Sequence, residues 1–108
     1  MNLQLLIQKN DNLLQKFPED PDYDIIITCN DIKFKLQMAF LYLESKYFDE
    51  MYQKDKQIDL SHLDEEALKK VLSVLYGGET IVKTFDVLGK IYTVVSYLKI
   101  ESLKESVM

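Results

Sequence analysis

Cysteine occurs once, at Cys29, so no disulfide can form within the chain. That fits a cytoplasmic or nuclear protein, where thiols stay reduced. Arginine does not occur. The 13 basic residues are all lysine, set against 18 acidic ones, and the net charge is −5. An acidic chain without a basic cluster repels phosphate backbones, which argues against direct nucleic-acid binding. No apolar run approaches the roughly 20 residues that a membrane span needs. Met1 to Ile7 lacks the basic flank and the small-residue cleavage site of a secretory signal. Histidine also occurs once. His62 has no second His, Cys or carboxylate at ligand spacing, so a metal site is not expected.

Other candidates for chemistry have plainer explanations. Asp64, Glu65 and Glu66 suit the positive end of a helix dipole. Gly77-Gly78 lacks the Gly-Lys-Ser/Thr context of a phosphate loop. Cys29 sits in an apolar run with nothing cationic beside it to activate the thiol. No catalytic constellation is present, and neither enzyme activity nor a cofactor is expected.

What the chain does have is apolar bulk. Of its 108 residues, 47% are hydrophobic, including seven Tyr and five Phe. That is enough for one globular domain over residues 1–108 with a real core. The richness in Ile, Lys and Tyr, with little Ala, Gly or Pro, is a bias of AT-rich genomes, such as those of some large DNA viruses and protists.

Asp24 to Phe48 is the most informative block. Ile25-Ile26-Ile27-Thr28-Cys29 is short and β-branched, as a strand is. Asn30-Asp31 is a turn pair that tolerates positive φ. Ile32, Phe34 and Leu36 then alternate with Lys33 and Lys35. A helix is expected from near Gln37, with Met38, Leu41 and Tyr42 on one face, and a further helical segment over 46–53.

Before this block, Leu3, Leu6, Ile7, Leu13, Leu14 and Phe17 share one face of a helix over 3–17, with Asn10 in the same stripe. Pro18 and Pro21 end it. After the block, Gln57 to Leu60 is a third strand candidate. Ser61 to Asp64 offers capping chemistry for a helix to about Tyr76, which Gly77-Gly78 stops. Thr84 can cap a helix over 85–98 that is apolar nearly all round. A last helix starts at Glu101 and is expected to be cut short at Met108. The order is α+β: a small β-sheet with a hairpin, capped by a cluster of α-helices.

A tight hairpin feeding straight into a helix, then Ser45-Lys46-Tyr47-Phe48, resembles the opening of a BTB/POZ domain. The similarity continues in Leu75-Tyr76-Gly77-Gly78 and in the spacing of Val87, Ile91, Tyr92, Val94, Val95, Leu98 and Ile100. The resemblance implies a protein-interaction and homodimerisation module, not an enzyme. In the family, a helix before the hairpin is typical of dimerising members. The dimer seam is therefore expected at Leu3, Leu6, Ile7, Asn10, Leu13 and Leu14. The alternative for this stripe is packing on its own domain. The extra N-terminal strand that many dimers exchange is not expected, because the helix begins almost at Met1.

Many members are cullin-3 ubiquitin-ligase adaptors with a substrate-reading domain downstream, so the chain is expected to be a piece of a longer protein. By resemblance, Phe48, Met51 and Tyr52 lie on the cullin surface, with Tyr47 and Phe48 expected to anchor their helix in the core and Met51 and Tyr52 to present area outward. The hydrophobic-x-Glu loop motif of many adaptors is absent between Tyr52 and Ile58. The alternative is the dimerisation domain of a transcriptional or viral regulator that does not recruit cullin. In transcriptional members, the strand Asp and a basic residue line a charged pocket. Here Asp24 is kept, the family's usual His is Gln37, and the basic residue after it is Met38. Without that basic partner, Asp24 is expected to hold local backbone N–H groups or Lys35 instead. Two small alanines of the penultimate helix are Val94 and Val95 here, so packing there must differ.

Overall fold

The computed structural model describes residues 3–6, 14–51, 56–82, 84–101 and 103. The hairpin is β2 (Ile25–Cys29) and β3 (Ile32–Leu36), antiparallel, with Ile27 opposite Phe34 and Cys29 opposite Ile32. Asn30 turns the chain at φ 55°, the left-handed region that Asn tolerates better than most side chains. A third strand, β4 (Gln57–Asp59), runs parallel to β2 on its other side, giving the order β3-β2-β4. Alternation places Ile25, Ile27, Cys29, Phe34, Leu36 and Ile58 in the core.

Two short helices follow the hairpin, α1 (Ala39–Tyr42) and α2 (Lys46–Met51). Two longer ones complete the domain. In α3 (Glu65–Leu75), Asp64 caps the start by accepting from the Ala67 N–H at 3.0 Å. Its buried stripe is Ala67, Leu68, Val71, Leu72, Val74 and Leu75. Gly77, at φ 94°, closes it with a Schellman turn: Gly78 N–H donates to Ser73 O and Gly77 N–H to Val74 O. Thr84 caps α4 (Phe85–Tyr97) in the same way as Asp64, through the Val87 N–H. Ile91, Val94 and Val95 bury the centre of α4, while Val87, Leu88 and Tyr92 are half-buried against the core. Phe85, in its first turn, stays 77% exposed. Glu101 and Leu103 are helical, and Leu103 reaches the core.

The N-terminal reading is corrected. Leu3–Leu6 is a strand, β1, paired antiparallel with a second strand that the sequence did not announce, β5 (Glu79–Val82). The register sets Leu3 opposite Val82 and Leu6 opposite Glu79. Four residues reading Leu-Gln-Leu-Leu fit a period of 2 as well as 3.6, and a partner strand decides between them. Leu14–Lys16 is a turn of 3-10 helix, not α-helix. Of the expected helical stripe, Ile7, Asn10 and Leu13 lie outside the described residues.

Candidate protein-interaction surfaces

Asp24 and Lys35 sit at the end of the hairpin but do not pair. The Asp24 carboxylate accepts from the Met38 N–H at 2.7 Å, where the chain enters α1. Its own N–H donates to Leu36 O. Lys35 turns away and places its ammonium 5.4 Å from the centre of the half-exposed Tyr23 ring, a cation–π distance. The structure therefore gives each residue a separate local role rather than a shared charged pocket.

A polar cluster that the sequence reading missed lies next to them. Asp20 is 1% exposed. Its Oδ1 accepts from the Asp22 N–H, and its Oδ2 accepts from Gln37 Nε2 at 2.8 Å and the Tyr76 hydroxyl at 2.9 Å. Burial works to raise the Asp20 pKa, but these hydrogen bonds and the charge of Lys16 outweigh it and hold the carboxyl below its ordinary value. The Tyr76 hydroxyl also accepts from the Gln37 N–H at 2.7 Å. Burial first, then Asp20, pushes the Tyr76 phenol upward, so it stays protonated and remains a donor. Phe17 packs on both Phe34 and Tyr76. Pro18 O and the Asp20 N–H bond to Lys35 on the outer edge of β3, so the segment before the hairpin covers that edge.

α2 is fixed at its start by Ser45. The buried hydroxyl donates to Leu98 O at 2.5 Å and accepts from the Phe48 N–H at 3.3 Å, capping α2 and tying it to the end of α4. The Lys46 and Tyr47 N–H groups reach Lys99 O and Leu98 O. Phe48, expected on the cullin surface, is fully buried. It anchors α2 in the core and can offer no area to a partner. Met51 is half-buried at the other end of α2, and Tyr52 lies outside the described residues.

One flank of α2 is aromatic. Tyr47 stands edge-on to Phe48, its ring centre lies 5.2 Å from that of Tyr97, and Tyr97 in turn meets His62 at 4.6 Å. Burial, then the neighbouring Tyr97, pushes the Tyr47 phenol up to about 12. Tyr97 keeps 40% of its surface exposed. The other flank is a groove of about 410 Å3 whose lining includes Tyr42, Leu43, Ser45, Lys46, Asp49 and Lys99. Leu43 is 70% exposed at its rim. Tyr97 and Leu43 expose aromatic and apolar area on either side of α2, and the groove beside Leu43 is otherwise lined by polar and charged side chains, Glu44 and Glu101 among them.

Cys29 is buried, and its thiol contacts Leu63 O at 3.6 Å. Burial, with the charges of Glu65, Asp59 and Asp64, raises its pKa and keeps it protonated. Among the described residues, no three His, Cys, Asp or Glu side chains gather closely enough to hold a metal ion. No helix among them is long and apolar enough to cross a membrane.

The profile of the BTB/POZ domain matches residues 14–108. The chain belongs to the BTB/POZ family. It is thus a protein–protein interaction module, and BTB domains are not typically enzymes. Solved BTB domains share its fold. The BTB domain of zebrafish PATZ1 superposes with a TM-score of 0.74 at 20% identity, over 89% of this chain and 81% of that one. The BTB (Tramtrack and Bric a brac) domain of human gigaxonin gives 0.73 at 16% identity, over 95% and 94%. No curated protein matches the sequence.

Proposed function

We propose that this BTB domain homodimerises and serves as the cullin-3-binding part of a ubiquitin-ligase adaptor. The observation that carries the reading is the setting of α2. Phe48 and Ser45 fix its start in the core and to α4, while Met51 stands half-buried at its other end. A short helix anchored in the core by its first turn sets an apolar side chain at its last residue where a partner can meet it. This is the segment where the family resemblance puts the cullin contact. The short stretch between Met51 and β4 lacks the hydrophobic-x-Glu motif, so affinity is expected below that of typical adaptors.

Titration calorimetry with the cullin-3 N-terminal domain tests the reading, on wild type and on a Met51→Ala/Tyr52→Ala variant. Binding by the wild type, lost in a variant that stays folded, supports it. No binding by the wild type moves the function to a dimerisation domain of a regulator that does not recruit cullin.

A further inference from the structure

Among the described residues other than glycine, only Asn30 and Lys99 have positive φ. Asn30 is in the hairpin turn, where its residue type is at home. Lys99, at φ 54°, closes α4 with a Schellman turn, its N–H donating to Ser96 O and that of Ile100 to Val95 O. The same turn at the end of α3 uses Gly77. A lysine in this conformation is strained relative to glycine. Its side chain meets both carboxylate oxygens of Glu50 at 3.3 Å. Both side chains are about half exposed, and ion pairs in such surroundings add little to stability. The bridge therefore does not offset the strain as a stabilising contact.

What the bridge does do is geometric. The Lys99 carbonyl accepts from the Lys46 N–H at the first residue of α2. The Lys99 ammonium holds Glu50, one residue before Met51. One residue thus contacts both ends of a six-residue helix whose core anchors, Ser45 and Phe48, lie toward its start. We propose that Lys99 is a positioning residue, which aims α2, and with it Met51, at the protein partner. The inference rests on the adaptor reading above and adds the device that orients its contact helix.

The test is a charge-swap cycle read by calorimetry against the cullin-3 N-terminal domain, with urea stability measured on every variant. Lys99→Glu and Glu50→Lys should each weaken binding about threefold, and the double swap should return it to the wild-type value within the error of the titration. Lys99→Gly keeps the backbone turn without strain. It should be at least as stable as wild type and still bind more weakly, which separates positioning from folding. In that variant the Met51 methyl resonance should shift with no partner present. Unchanged binding in the single variants overturns the proposal. So does a loss that the double swap fails to restore, since each side chain then touches the partner directly. Wild-type binding that depends on Met51 but is indifferent to Lys99 overturns this inference and leaves the adaptor reading standing. No wild-type binding overturns both.

Discussion

The Tyr76 hydroxyl donates to Asp20 Oδ2 at 2.9 Å and accepts from the Gln37 N–H at 2.7 Å. This one group joins the end of α3, the segment before the hairpin and the segment after it. Tyr76→Phe preserves the ring, which packs against Phe17 and Phe40, and removes only the oxygen. It leaves the Gln37 N–H without its acceptor and takes one donor from a buried carboxylate. The expected loss is about 1–3 kcal/mol of unfolding free energy. Urea denaturation should show a lower midpoint with an unchanged slope.

The same cluster sets an acid limit. The Asp20 pKa is depressed in the folded state below its ordinary value of 3.8. Its contribution is therefore fully present above that value and is lost as pH falls through the folded pKa. Asp20→Asn should be less stable than wild type at pH 7, because one amide oxygen cannot accept what two carboxylate oxygens do. The gap between the two proteins should close at the acid end of a stability–pH curve. A constant gap down to the lowest measurable pH would show that the carboxylate charge is not what the cluster uses.

Two glycines should respond with opposite signs. Gly77 has φ 94°, so Gly77→Ala forces an L side chain into a left-handed turn and should cost about 1–2 kcal/mol. Gly89 lies inside α4, and a Cβ placed there meets nothing within 4 Å. Gly89→Ala should stabilise the domain by about 0.5–1 kcal/mol. Thermal unfolding of the pair, followed by circular dichroism, checks both signs at once.

Local patterns carried most of the architecture. The hairpin was legible because Ile25–Cys29 is a short β-branched run and Ile32–Leu36 alternates, with Asn30 between them. The caps Asp64 and Thr84 and the stop at Gly77 were legible because capping depends on neighbours a few residues away. What escaped depends on distant partners. Leu3–Leu6 reads as helix or strand until β5 pairs with it, and β5 is four residues with no period of its own. Asp20 stands between Pro18 and Pro21 and reads as part of a short rigid connector. Its burial is decided by Tyr76 and Gln37. Phe48 reads both as a core anchor and, by motif position, as part of a partner surface; the core it meets decides for the first.

The pairing of β1 with β5 carries the last prediction, that the N-terminal segment contributes to a dimer. A two-stranded sheet is marginal by itself, and β1 joins the domain through β5. Removing residues 1–7 takes away one strand of the β1–β5 sheet and leaves the β3-β2-β4 sheet and its hairpin intact. Light scattering at micromolar concentration should give the intact chain twice its 12.7 kDa mass, as a twofold isologous pair requires. The shortened chain should run toward the monomer mass, with its circular dichroism otherwise retained. A shortened chain that remains fully dimeric places the interface elsewhere on the domain. An intact chain that runs as a monomer removes the dimer from the proposed function.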